Sequence, residues 1–390
     1  MEHAPTSRRP LRRAPVHRAH RERRALVHRR GRIAAILAVA AVMVVTGGIA
    51  GTLAHLRGNL TTAPLRAATE HAPRESGGAM DILLLGSDSR DLAGSSFGTG
   101  DGSRRSDAMV LAHLSGDDDR IDAVQLPRDT LMDLPRCEDT GDGAFPGGPG
   151  MLNSALNFGP ACSVSAVEEL TGVRIDHFVE LDFEGFIAIV EALDGVAVCL
   201  PEALRDPYAD LDLPAGEQVV DGKDALALAR TRHAVGDGSD IARLGHQQMV
   251  MSAVVQEATS SRIVSRPDRL YPFLDAATSS LTVDSGLSRV SDLAGLGARV
   301  SRVAPEDITF VTMPWEPAPT DRNRVVPSAE AGAVFEALAD DVPVLADPGG
   351  AEPEEDTGHG APESSPEATA PAPPSLDATV RTADTDLCTG

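Results

Sequence analysis

The 390-residue chain is 42% hydrophobic, 24% charged and only 3% aromatic, enough for one large domain or two ordinary ones with appendages. This excludes a wholly disordered chain and a multi-span membrane protein; the scarcity of aromatic rings argues against a base-stacking nucleic-acid binder, and four cysteines are too few for a disulfide framework. The formal charge of −23 hides two opposite regions, because residues 1–32 hold eleven arginines against Glu2 and Glu22, a local +9, and the rest of the chain carries −32. Lys223 is the only lysine, so nearly every cation is a guanidinium.

After this basic arm, residues 33–56 form an uncharged apolar run of 24 residues, and ~20 suffice for a helix to cross the hydrocarbon core. The run predicts one transmembrane helix. It exceeds the ~7 to 15 apolar residues of a cleaved signal peptide. The arginines before it place the amino terminus in the cytoplasm and the body outside. They read as a topology signal rather than a nucleic-acid site, since no helix or finger pattern accompanies them. Outside the membrane, disulfides are permitted, and Cys137 and Cys162, flanking a Gly-rich loop, are the favoured pair. Residues 57–79 read as a short stalk, and 347–390, rich in Pro, Glu, Ala, Ser and Thr, as a disordered tail.

Between them, residues 80–346 alternate strand-like and helix-like runs, which predicts an α/β class. Residues 81–85, 108–114 and 120–126 read as strands, the last two joined as a hairpin by the acidic turn 116–119. A helix follows over 160–170 with Gly172 just beyond it, then one over 182–193, a strand over 196–200 and a helix over 224–229. A longer helix over 239–258 and a strand over 308–313 complete the set.

Four polar clusters stand at the ends of these elements: residues 86–90, 104–107, 127–130 and 229–233. In open α/β sheets ligands collect beyond strand termini, so Asp88 and Arg128 are placed to converge. Arg230 and Arg232, two apart, share a face if the segment is extended, a double guanidinium surface for phosphate. Asp240, Arg243 and Gln247 form a polar stripe on the long helix. Asp88, Asp107 and Asp240 among Arg105, Arg128, Arg230, Arg232 and Arg243 suit a divalent cation and a pyrophosphate, although surface ion pairs are the plainer reading of any single member. Zinc-ligand spacing, a Walker loop and a nucleophile elbow are absent from the sequence.

Eight blocks in order, including DILLLGSDSR, RSDAMVLAHLS, DAVQLPRDT, LNSALNFGP and GDGSDIARLGHQQ, resemble the LytR-CpsA-Psr proteins of bacterial cell envelopes, actinobacterial members included. The motif core runs over 80–258. The resemblance implies an α/β/α sandwich preceded by one transmembrane helix, and a membrane-anchored extracellular phosphotransferase. Such an enzyme joins a polyprenyl-pyrophosphate-linked glycopolymer to peptidoglycan through a phosphodiester. It implies Mg²⁺ at Asp88 and Asp107. Arg105, Arg128, Arg230 and Arg232 would contact pyrophosphate; Asp240, Arg243 and Gln247 match the last polar block, and Arg90 ends the first. Asp107 or Asp240 would serve as base. Phe158, Phe183, Phe186 and Val190 are candidates for contacting the lipid, with core packing as the alternative. Two departures stand out: Met151 where a basic residue is usual, and His246 where a second Arg is common. A pyrophosphate hydrolase and a non-catalytic envelope or regulatory protein are the competing functions.

Overall fold

Alternating apolar side chains build the centre of the protein, because successive residues of a strand point to opposite faces. The computed structural model describes residues 39–40, 42–66, 78–88, 104–231, 240–344 and 380–383. Among the described residues the main sheet contains β1 (Thr61–Ala63), β2 (Met80–Ser87), β3 (Ser106–Leu114), β4 (Ile121–Gln125), β5 (His177–Asp182), β6 (Leu281–Asp284), β7 (Ile308–Thr312) and β8 (Val380–Thr382). Their spatial order is β1-β6-β5-β2-β3-β4-β7-β8. β2 runs antiparallel to β3 and β3 to β4, while β5 is parallel to β2 and β7 to β4. The carboxyl ends of β2, β4, β5 and β7 therefore share one edge with the start of β3.

Among the described residues, the α-helices that follow β1 and are longer than one turn are α1 (Pro160–Thr171), α2 (Phe183–Ala192), α3 (Gly222–Arg230), α4 (Asp240–Thr259), α5 (Pro267–Ser280), α6 (Val290–Val300) and α7 (Ala331–Ala339). On one sheet face Leu83, Leu85, Met109 and Leu111 pack with Val167 of α1 and Val334 of α7. On the other, Val110, Ala123 and Phe310 meet Met251 and Val255 of α4. These layers are the expected α/β/α sandwich. A further cluster, including Val190, Val196, Leu228 and Val250, joins α2, α3 and α4 to the hairpin formed by Val196–Leu200 and Gly216–Val220. Each such side chain contributes about 1.5–3 kcal/mol on burial.

Local signals set the ends of these elements. Pro160 opens α1, and Gly172 closes it in the left-handed region at φ 70°, its N–H donating to Glu168 O at 2.9 Å. Asp182 caps α2 by accepting from Gly185 N–H at 2.7 Å, worth about 1 kcal/mol. The acidic turn between β3 and β4 holds Asp118 at φ 57°. Cys137 and Cys162 form the favoured disulfide, and no cysteine among the described residues is free.

Three boundaries change. The stalk is not merely a linker: Thr61–Ala63 pairs with β6, and Arg66 forms an ion pair with Glu168. Part of the expected disordered tail is placed in the sheet: Val380–Thr382 pairs with the edge of β7, and Ala383, 1% exposed, donates its N–H to Ile308 O at 2.9 Å, while residues 384–390 lie outside the described residues. Residues 345–379 lie outside the described residues. The chain divides between His55 and Leu56 into a short amino-terminal unit and one large unit. In the predicted membrane span the backbone at 39–40 and 42–59 is helical, and residues 33–38 and 41 lie outside the described residues. Among the described residues no helix is long and apolar enough to cross a membrane.

At the sheet edge opposite the polar clusters, His113 is buried between two carboxylates, its Nδ1 2.8 Å from Asp81 Oδ1 and its Nε2 3.0 Å from Asp341 Oδ1. Burial opposes its charged form, but the two carboxylates more than offset this and raise its pKa above the ordinary 6.5. For Asp341 burial likewise opposes the charge, and His113, the Gly116 N–H and Arg120 hold the pKa below 3.8.

Candidate active site

Asp88 follows the last residue of β2, and two reciprocal bonds tie it to the start of β3. Asp88 N–H donates to Arg105 O at 3.0 Å, and Arg105 N–H donates to Asp88 Oδ1 at 2.8 Å. The Arg105 side chain is left exposed. Two residues on, Asp107 forms an ion pair through Oδ1 with Arg128 Nη1. Arg128 belongs to the turn after β4, fixed by Thr130 N–H donating to Pro127 O at 3.1 Å and by Asn153 N–H donating to Arg128 O at 3.1 Å. Asp88, Arg105, Asp107 and Arg128 thus meet at one edge, as the polar clusters predicted.

α4 supplies the next side chains. Arg243, 2% exposed, donates Nη2 to Asp107 O at 3.3 Å. One turn on, Gln247 approaches the same carbonyl at 3.5 Å and accepts from Gln125 Nε2 at 2.7 Å. A guanidinium this deeply buried is tolerated only with such partners, so Arg243 holds the Asp107 backbone in place. Half-buried His246 lies between Arg243 and Gln247 on the same helix.

Arg230 departs from expectation. It is the last residue of α3 rather than part of an extended run, because Thr231, the C-cap, is fixed by a hydrogen bond to buried Asp206. Its guanidinium lies 4.4 Å from the centroid of the Phe183 ring, a cation–π contact. Phe183 follows Asp182, which pairs with Ser87, so Arg230 arrives beside the strand end that carries Asp88. Arg90 and Arg232 lie outside the described residues, and of Asp240 only the helical backbone is described.

The apolar candidates divide between two clusters. Phe158 packs on Phe145, ring centroids 4.9 Å apart, against the α1 side of the sheet, whereas Phe186 and Val190 belong to the α2–α4 cluster. Phe158 therefore does not share one packing cluster with Phe186 and Val190. Met151 ends the strand Gly148–Met151 next to the Arg128 turn and presents a thioether where a basic side chain was expected.

Sequence reading missed Arg104, Glu180 and Asn157. Arg104 forks onto nearly buried Glu180, with Nε 3.0 Å from Oε1, and its N–H donates to Asn157 Oδ1 at 3.0 Å. Residues far apart in sequence meet here because β2 pairs with both β3, which Arg104 precedes, and β5, which carries Glu180; Arg104 itself stood in a flagged cluster.

For a cation, Asp88 and Asp107 offer hard carboxylate oxygens from adjoining strand ends. Among the described residues no group of three or more His, Cys, Asp or Glu gathers for a metal. Mg²⁺ commonly takes only one or two protein carboxylates and completes its shell with water and substrate phosphate. Three buried oxygens near this edge, Ser106 Oγ, Gln125 Oε1 and Asn153 Oδ1, have no hydrogen-bond partner among the described residues, which suits a hydrated ion or polar ligand. Asp88 and Asp107 are of the ligand type that Mg²⁺ takes, with one Asp107 oxygen already engaged by Arg128.

A mixed sheet between helices, with carboxylates and buried or stacked guanidiniums at one edge, defines an α/β/α protein. The chain belongs to the LytR_cpsA_psr family, whose model matches residues 54–339. It is 31% identical over 265 residues to the cell wall biosynthesis protein LcpA of Corynebacterium glutamicum, covering 61% of this chain and 50% of that one. It is 30% identical over 216 residues to the polyisoprenyl-teichoic acid–peptidoglycan teichoic acid transferase TagU of Oceanobacillus iheyensis, covering 55% of this chain and 62% of that one. The chain thus spans about half the length of LcpA. The solved LytR-Csp2A-Psr enzyme from Actinomyces oris matches with a TM-score of 0.56 and 26% identity, over 72% of this chain and 96% of that one.

Proposed function

We propose that this protein transfers a glycopolymer from a polyprenyl-pyrophosphate carrier to peptidoglycan, forming a phosphodiester. The observation that carries this reading is the meeting of Asp88, Arg105, Asp107, Arg128 and Arg243 at one sheet edge, in a family whose matched relatives include a teichoic acid transferase. Arg128, held by Asp107 in advance, and Arg105 just before β3 supply planar forks for phosphoryl oxygens, while buried Arg243 steadies the Asp107 backbone.

In the proposed reaction an acceptor hydroxyl of peptidoglycan attacks the glycan-side phosphorus. The bond from that phosphorus to the bridging oxygen breaks, and polyprenyl phosphate departs. Arg128 and Arg105 orient the pyrophosphate and offset charge growing on the bridging oxygen, Arg243 and Gln247 keep the Asp107 segment still, and Arg230 and Arg232 bind the outer phosphoryl oxygens. The acceptor's proton passes to Asp107 or Asp240, and Asn variants of each distinguish them by which one flattens the acid limb of the pH–rate profile. Mg²⁺, held by Asp88 and Asp107, would neutralise pyrophosphate charge. Phe183, which stacks under Arg230, and Phe186 on the same helix are the candidates for contacting the lipid.

The proposed setting is the cell membrane, with residues 33–56 as a single span, the arginine arm inside and the body outside. Val39, Met43, Val44 and Ile49 support it, each more than half exposed and so with little protein covering them. Protease protection in intact cells checks it: the body should be cleaved and the arm spared.

The enzyme assay uses purified full-length protein, Mg²⁺, a short-chain lipid-linked glycan and peptidoglycan fragments. Glycan joined to the acceptor supports transfer; phosphorylated glycan released into water marks a hydrolase instead.

A further inference from the structure

The turn carrying Arg128 is clamped from outside by a distant hairpin. Trp315–Ala318 and Asp321–Pro327 pair antiparallel, and the second strand docks on that turn. Val325 N–H donates to Asp129 O at 3.5 Å, and Thr130 forms a parallel bridge with Val325. Beside this backbone contact Arg324 Nη1 lies 3.1 Å from Asp129 Oδ2.

Asp129 is the awkward member of the site. Its Oδ1 lies 4.0 Å from Arg128 Nε, on the guanidinium whose Nη1 pairs with Asp107. A second carboxylate at this range weakens the positive field that a pyrophosphate would meet, and the effect is large where water is partly excluded. Here it is: the Arg128, Asp107 and Asp129 side chains are only 15–16% exposed, and Arg324 33%. Four charges of alternating sign follow one another, Asp107, Arg128, Asp129 and Arg324. Asp321, 4.0 Å from Arg324 Nε, is a weaker and more exposed neighbour.

We propose that Arg324 is a positioning residue for phosphotransfer: by holding and neutralising Asp129 it keeps Arg128 available to the pyrophosphate, so that the hairpin sets anion affinity without touching substrate. This rests on the reading of Arg128 as a pyrophosphate contact and adds a control on that residue from the far end of the domain.

The test measures binding of geranyl pyrophosphate to the full-length protein by titration calorimetry, with thermal melting as the folding control. Arg324→Ala leaves Asp129 uncompensated beside Arg128 and should weaken binding about ten-fold. Asp129→Asn removes the competing charge at constant shape, so the double variant should return to within about two-fold of wild type. Arg324→Lys, which keeps the charge, should lie between the two. A purely structural role for Arg324 gives no such rescue. Unchanged affinity in Arg324→Ala, or a loss that Asp129→Asn fails to restore, overturns the proposal. Wild-type protein that binds no geranyl pyrophosphate fails at an earlier step and overturns the functional reading together with what rests on it.

Discussion

Arg128→Lys keeps the charge and changes its shape, which makes it the sharpest probe of the site. Arg128 directs Nη1 at Asp107, with Nε 4.0 Å from Asp129, so its planar fork is already oriented by the protein before substrate arrives. A lysine offers a point charge on a flexible stem and gives up at least one of the parallel contacts that a guanidinium makes with a phosphoryl group. One hydrogen bond to a charged group is worth about 1.5–3 kcal/mol, which converts to a fall of roughly 10- to 100-fold in kcat/KM. Arg128→Ala loses the charge as well and strands Asp107, so its loss should approach a thousand-fold. The assay is initial-rate transfer of a lipid-linked glycan to peptidoglycan fragments, with a thermal melt of each variant. Arg128→Lys at wild-type rate, with an unchanged melt, would refute the claim that the fork geometry matters.

Other expectations concern the frame that holds the site. Reducing or deleting the Cys137–Cys162 disulfide, whose cysteines are 25 residues apart, should lower stability by about 3 kcal/mol, read as a shift in the urea midpoint with and without reductant. His113→Ala removes the imidazole 2.8 Å from fully buried Asp81 and should lower stability by about 3 kcal/mol in the same measurement. Because the folded pKa of His113 is raised, its stabilisation is complete below pH 6.5 and fades as pH rises through the folded value. Asp341, with a lowered pKa, contributes above pH 3.8 and is lost as pH falls through its folded value. Wild-type Tm should therefore decline as pH rises above 6.5, and that decline should be absent from His113→Ala.

The parts of this fold that were readable in advance are those whose signals are local. β2, β3 and β4 announce themselves as short apolar runs bounded by polar residues, and α1 by Pro160 and Gly172 at its ends. The site was legible to the same degree, since Asp88, Asp107 and Arg128 each sit where an apolar strand gives way to polar residues. What stayed hidden depends on pairing across the chain. The edge strands Thr61–Ala63 and Val380–Thr382 are three residues each and exist only because β6 and β7 present open edges. The Arg104–Glu180 fork and the Arg324–Asp129 contact join residues 76 and 195 apart, and neither has a local signature. Arg230 lies on a helix and not in an extended segment because the helix runs one residue further than its apolar pattern, to a cap at Thr231 secured by Asp206.

In the proposed function, carboxylates and arginines at one sheet edge move a phosphoryl-linked glycan to an acceptor. Its most direct test is product analysis after incubating wild type, Arg128→Ala and Asp107→Ala with a radiolabelled short-chain lipid-pyrophosphate glycan, Mg²⁺ and peptidoglycan fragments. The account predicts a glycan–phosphate–peptidoglycan phosphodiester with wild type and its loss in both variants. Wild type that binds the lipid yet yields no such product, or variants that form it at the wild-type rate, would contradict it.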